Sequence, residues 1–147
     1  MSHVVMIELR VKDLDALEEA AKELGAVLVR DQKTYKWYGR WMNDFNGEDA
    51  AYRKVSPKDY GKCDHAVTHP KCQYEIGLIK QEDGAFLVIA DEWGPGGLAP
   101  VFGKGMQKLK QRYGTAVAAK AMRRQGFMVK ETADDKGNVR LVCTHAA

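Results

Sequence analysis

Tyr74-Glu75-Ile76-Gly77-Leu78-Ile79-Lys80, then Gln81-Glu82-Asp83-Gly84, then Ala85-Phe86-Leu87-Val88-Ile89-Ala90-Asp91 is the stretch that decides the fold. Two apolar runs flank a short turn that ends in glycine, which reads as an antiparallel hairpin. The run Phe86–Ala90 is apolar at every position, so it predicts a strand covered on both faces and central in its sheet. Toward the N-terminus, Val5, Ile7, Leu9 and Val11 alternate with a period of two and predict a strand from about His3 to Val11. Asp13 or Asp15 can cap the helix that follows, with Glu18 in capping-box position after Asp15. Leu14, Leu17, Ala21 and Leu24 form its buried stripe, Gly25 closes it, and Ala26–Arg30 reads as a second strand.

Toward the C-terminus, Gly94-Pro95-Gly96-Gly97 breaks the chain before one long helix whose stripe is Phe102, Met106, Leu109, Tyr113, Val117 and Ala121. Phe127–Thr132 and Val139–Thr144, joined through Asp134–Asn138, predict a last hairpin. Between Asn43 and Pro70 the periodicity is lost, which predicts an irregular insert within about 33–72. The expectation is a single α+β domain over residues 1–147: a ferredoxin-like split βαβ antiparallel sheet, two helices on one face, the inserted loop and a C-terminal hairpin.

Charge is uneven along the 147 residues. Residues 1–92 carry 13 Lys+Arg against 17 Asp+Glu, and residues 93–147 carry 10 against 3. No acidic residue occurs between Trp93 and Lys130, so the positive field is concentrated on the predicted C-terminal helix. The longest unbroken apolar run is far short of the ~20 residues that span a bilayer, which predicts no membrane segment. Met1–Arg10 reads as strand rather than as a leader, and three cysteines cannot all pair, so a cytoplasmic protein with free thiols is expected.

Three groups of residues are candidates for function. Cys63, His65, His69 and Cys72, spaced C-x-H-x3-H-x2-C, offer four ligands of the two types that zinc prefers, although the separations match no usual finger pattern. Lys104, Lys108 and Arg112 repeat every four residues on the predicted helix, with Arg123 and Arg124 at its end, and could meet nucleic-acid phosphates. Trp37, Tyr38 and Trp41 lie in an aromatic, basic stretch, and rings of this kind are enriched where proteins dock. No catalytic constellation emerges. The glycine-rich Gly94–Gly97 fails as a dinucleotide loop because Pro95 has no amide to offer a phosphate. Asp91 and Glu92 are adjacent on a strand and so face opposite sides, which excludes a carboxylate pair.

A set of stretches carries a family resemblance: Met1-Ser2-His3-Val4, Leu14-Asp15-Ala16-Leu17, Tyr74-Glu75-Ile76-Gly77 and Ala90-Asp91-Glu92-Trp93-Gly94. Gln111-Arg112-Tyr113, Arg124-Gln125-Gly126-Phe127 and Gly137-Asn138-Val139-Arg140-Leu141 extend it. The chain resembles the hypothetical chloroplast reading frame 35 family, domain of unknown function 1257, and within about Lys33–Cys72 it is closer to phage and bacterial members. The resemblance implies no activity. Its genes tend to sit beside an AAA-type ATPase and a small ubiquitin-like protein, which implies a protein partner. The function expected is therefore a non-catalytic adaptor, with nucleic-acid binding through the basic helix as the alternative.

Overall fold

The computed structural model describes residues 4–39 and 55–145. Its elements are β1 (Val4–Val11), α1 (Leu14–Glu23), β2 (Val27–Arg30), β3 (His65–Thr68), β4 (Ile76–Lys80), β5 (Phe86–Asp91), a short α2 (Leu98–Phe102), α3 (Gln107–Arg124), β6 (Phe127–Ala133) and β7 (Val139–His145). The first five strands form one sheet in the order β1-β5-β4-β3-β2, and every neighbouring pair is antiparallel. β5 lies inside the sheet, as its unbroken apolar run requires. β6 and β7 pair only with each other among the described residues.

The α+β class stands, with an antiparallel sheet, helices and a C-terminal hairpin. The split βαβ connection is wider than expected. In a ferredoxin-like sheet one strand fills the gap between the two strands of a βαβ unit. Here β1 and β2 run in the same direction at opposite edges, with β5, β4 and β3 between them. The extra strand is β3, which lies inside the segment expected to be irregular. It offers only Ala66 and Val67 as apolar residues, so its conformation is set by the ladders on either side of it.

α1 begins at Asp13, whose Oδ1 accepts from the Ala16 amide at 3.1 Å. Glu18 does not close a capping box but joins Asp15 in holding the Arg30 guanidinium. At the other end Gly25 takes φ +74°, and the Ala26 amide donates back to the Ala21 carbonyl at 2.8 Å. The long C-terminal helix is interrupted. Gly103, Gly105 and Met106 all have positive φ, so α2 stops at Phe102 and α3 starts afresh at Gln107. The expected stripe holds through Phe102, Met106, Leu109 and Tyr113, which are buried, but further steps of four residues drift about 40° each on a 3.6-residue helix, so Val117 and Ala121 turn to solvent and Ala119 takes the inner face.

The helical face of the sheet buries Ile7, Val11, Ile76, Leu78, Val88 and Ala90 against Leu17, Ala20, Ala21, Phe102, Met106 and Leu109. Full burial of each large side chain contributes about 1.5–3 kcal/mol, which makes this layer the main source of stability. Tyr113 ties α3 to the start of α1, its hydroxyl accepting from the Lys12 and Asp13 amides. The other face has its own core of Val4, Ile89 and Ala66 beneath Tyr35, Tyr60 and Cys63. No helix among the described residues is long and apolar enough to cross a membrane.

Candidate partner-docking surface

Among the described residues, the second face of the sheet is covered by a strap. Thr34 bridges to Lys62, the Tyr35 amide donates to the Gly61 carbonyl at 2.9 Å, and the Cys63 amide donates to the Lys33 carbonyl at 2.9 Å. Glu75 holds the strap from β4's side. Its Oε1 accepts from the Lys36 amide at 2.9 Å and from Gln32 Nε2 at 3.0 Å, while its amide donates to the Lys36 carbonyl. Tyr35 lies directly over Gly77 in β4: a Cβ there would stand 2.5 Å from the tyrosine ring, so the central strand needs glycine at that point. Burial pushes the Tyr35 phenol well above its ordinary value.

The strap ends on Asp91, the last residue of β5. Asp91 is 0% exposed, and its Oδ2 accepts from the Tyr38 amide at 3.0 Å while Oδ1 accepts from the Trp93 amide at 3.1 Å. One carboxylate therefore fixes two backbone segments far apart in sequence. It brings the Tyr38 ring edge-on to Trp93, with centroids 5.1 Å apart and planes at 83°. Tyr74 stands behind Trp93 at 6.4 Å, seated on Gly96, where a Cβ would come within 2.1 Å of its ring. The result is an aromatic ladder at one end of the sheet, buried at Tyr74, half-buried at Trp93 and open at Tyr38, which is 36% exposed. Glu92, between Asp91 and Trp93 in the sequence, has a buried Oε1 with no hydrogen-bond donor among the described residues.

Of the aromatic residues singled out by sequence, Tyr38 and Trp37 are described, and Tyr38 is the more exposed of the two. Trp37 is half-buried and packs edge-on against Tyr60 at 5.6 Å, so it belongs partly to the second core. Trp41 lies outside the described residues. Asp91 and Trp93 carry the arrangement without having been expected to. The signal available was an acid ending an otherwise apolar strand, where burial demands hydrogen-bond partners.

The four residues considered as zinc ligands do not converge. His65 opens β3 and His69 follows its last residue, about 13 Å away along extended chain. Each imidazole Nδ1 accepts a backbone amide, from Asp31 and Lys71 respectively. Cys63 Sγ donates to the Gln32 carbonyl and Cys72 Sγ to the Gly97 carbonyl, both at 3.2 Å. Burial pushes the Cys63 thiol up to about 11 and also raises Cys72, away from the thiolate that a nucleophile requires. Among the described residues, no three His, Cys, Asp or Glu side chains group so as to hold a metal.

The basic residues are likewise dispersed. Lys104 lies in the turn between α2 and α3 and shares no helical face with Lys108. Arg112 is turned inward to Glu131 of β6 and lies within 4.0 Å of Glu23 of α1. Arg123 and Arg124 sit at the far end of α3, about 24 Å along its axis from Lys108, where positive charge suits the helix dipole.

The architecture is thus an α+β sandwich in which an antiparallel sheet lies between a helical layer and an aromatic strap. The family model described as a protein of unknown function, DUF1257, matches residues 48–142, and the chain belongs to that family. No curated protein and no solved structure matches it.

Proposed function

We propose that this protein is a non-catalytic docking module that binds another protein, an AAA-type ATPase, through the Tyr38–Trp93 aromatic surface. The observation that supports the reading is the Asp91 latch. A buried carboxylate, two backbone segments and a stack of three rings hold one exposed tyrosine in a fixed position. Rigid aromatic side chains bury large areas at little entropic cost, which is the chemistry of interface hot spots. The ATPase as partner rests on the gene neighbourhood of the family. Nucleic-acid binding is the weaker alternative, because Arg112 is engaged by carboxylates and the other cations lie in separate places.

The test is a side-by-side titration of the purified chain with an AAA-type ATPase of the kind encoded beside genes of this family and with single-stranded DNA and RNA. Binding to the ATPase that persists at moderate salt supports the docking module. Binding to nucleic acid alone, falling steeply with salt, replaces it with the alternative.

A further inference from the structure

The β6–β7 ribbon is built unlike the rest of the molecule. Its strands pair over seven consecutive positions with no bulge, from Phe127 opposite His145 to Ala133 opposite Val139. No residue from Phe127 to His145 is buried, although Phe127, Met128, Val129, Val139, Leu141 and Val142 are all apolar. Met128 is 63% and Val142 40% exposed. Its attachment to α3 includes the Arg112–Glu131 ion pair and a 3.4 Å bond from Gln111 Nε2 to the Gly137 carbonyl. A two-stranded ribbon is marginal on its own, and a regular, bulge-free edge invites another strand.

We propose that a second copy of this chain adds to the β7 edge, the two β7 strands running antiparallel about a two-fold axis at Val142. Charge and symmetry select both the strand and the register. A two-fold normal to the sheet pairs each residue with one of the same face, and the midpoint of Val139–His145 is Val142. That register sets Val142 opposite its own copy, Leu141 opposite Cys143, Arg140 opposite Thr144 and Val139 opposite His145. No like charges oppose. The same operation on β6, with its midpoint at Lys130, would set two lysines against each other, which is unfavourable. Pairing through β7 makes a four-stranded sheet in which the half-exposed Leu141 and Cys143 of each copy cover one another. This surface is separate from Tyr38 and Trp93, so the inference stands or falls independently of the docking reading.

Sedimentation equilibrium of the intact chain tests it. The wild type is expected to dimerise. Val142→Lys and Val142→Glu, each confirmed folded by circular dichroism, are expected to raise the dimer dissociation constant by about tenfold or more, since like charges then meet at the axis. An equimolar mixture of the two variants should recover dimers by opposing lysine to glutamate. A wild type that is monomeric at all concentrations overturns the proposal. So does a dimer whose dissociation constant neither variant changes, because it would use another surface.

Discussion

Replacing Asp91 by Asn tests whether one carboxylate holds the strap to the sheet. The native side chain is fully buried and accepts from the Tyr38 amide at 3.0 Å and the Trp93 amide at 3.1 Å. Asparagine has nearly the same shape but only one acceptor oxygen, so its NH2 must face one of these two amide donors. A hydrogen bond to a charged group contributes about 1.5–3 kcal/mol, and a neutral one about 0.5–1.5 kcal/mol. Losing one charged bond and weakening the other therefore costs about 2–4 kcal/mol. At a urea dependence of roughly 2 kcal/mol per molar, the unfolding midpoint should fall by about 1–2 M. Two readouts separate the latch from a general loss of stability. Urea unfolding followed by tryptophan fluorescence gives the global value. Native-state hydrogen exchange should show the Tyr38 and Trp93 amides losing protection by more than the amides of β4 do. An unchanged midpoint with both amides still protected would refute the reasoning.

Two further substitutions probe other parts of the account. Gly77→Ala places a methyl group 2.5 Å from the Tyr35 ring and should destabilise by about 1–3 kcal/mol, a cost that Tyr35→Leu should partly relieve in the double variant; additive losses in chemical denaturation would show that the ring does not bear on that strand. Asp13 has its carboxyl held below the ordinary value of 3.8, chiefly by the hydrogen bond from Lys120 and then by that from the Ala16 amide. Because its folded value is depressed, its contribution is present above the unfolded value and lost as pH falls through the folded one. Lys120→Met should therefore cost up to about 1 kcal/mol at neutral pH, since the pair is partly exposed, and that cost should shrink to nothing as pH falls below about 4, giving the variant a shallower acid limb than the wild type.

Local patterning made much of the fold legible. The β4–β5 hairpin follows from two apolar runs and a glycine turn, and α1 from its periodicity and its cap at Asp13. β3 was hidden because His65-Ala66-Val67-Thr68 carries little signal of its own and is a strand through its neighbours. The break before α3 had a partial signal in Gly103 and Gly105, but nothing in Met106 marks it for a left-handed conformation. That break removed Lys104 from the helix, while Val117 and Ala121 left the core face through the drift of a four-residue step along α3. In the strap, Gly77 inside an apolar strand was the available hint that another group approaches closely there. The pairing of Tyr38 with Trp93 could not be read, since it depends on Asp91 reaching an amide 53 positions away.

The most direct measurement is the affinity of the AAA-type ATPase for the wild-type chain and for Tyr38→Ala, by fluorescence anisotropy with both proteins purified. Tyr38 is the open end of the ladder, so its removal should leave the urea midpoint nearly unchanged. The account predicts that the wild type binds and that Tyr38→Ala weakens binding by about thirtyfold, as loss of a hot-spot aromatic of about 2 kcal/mol requires. A wild type that does not bind, or a Tyr38→Ala variant that binds equally well, would contradict it.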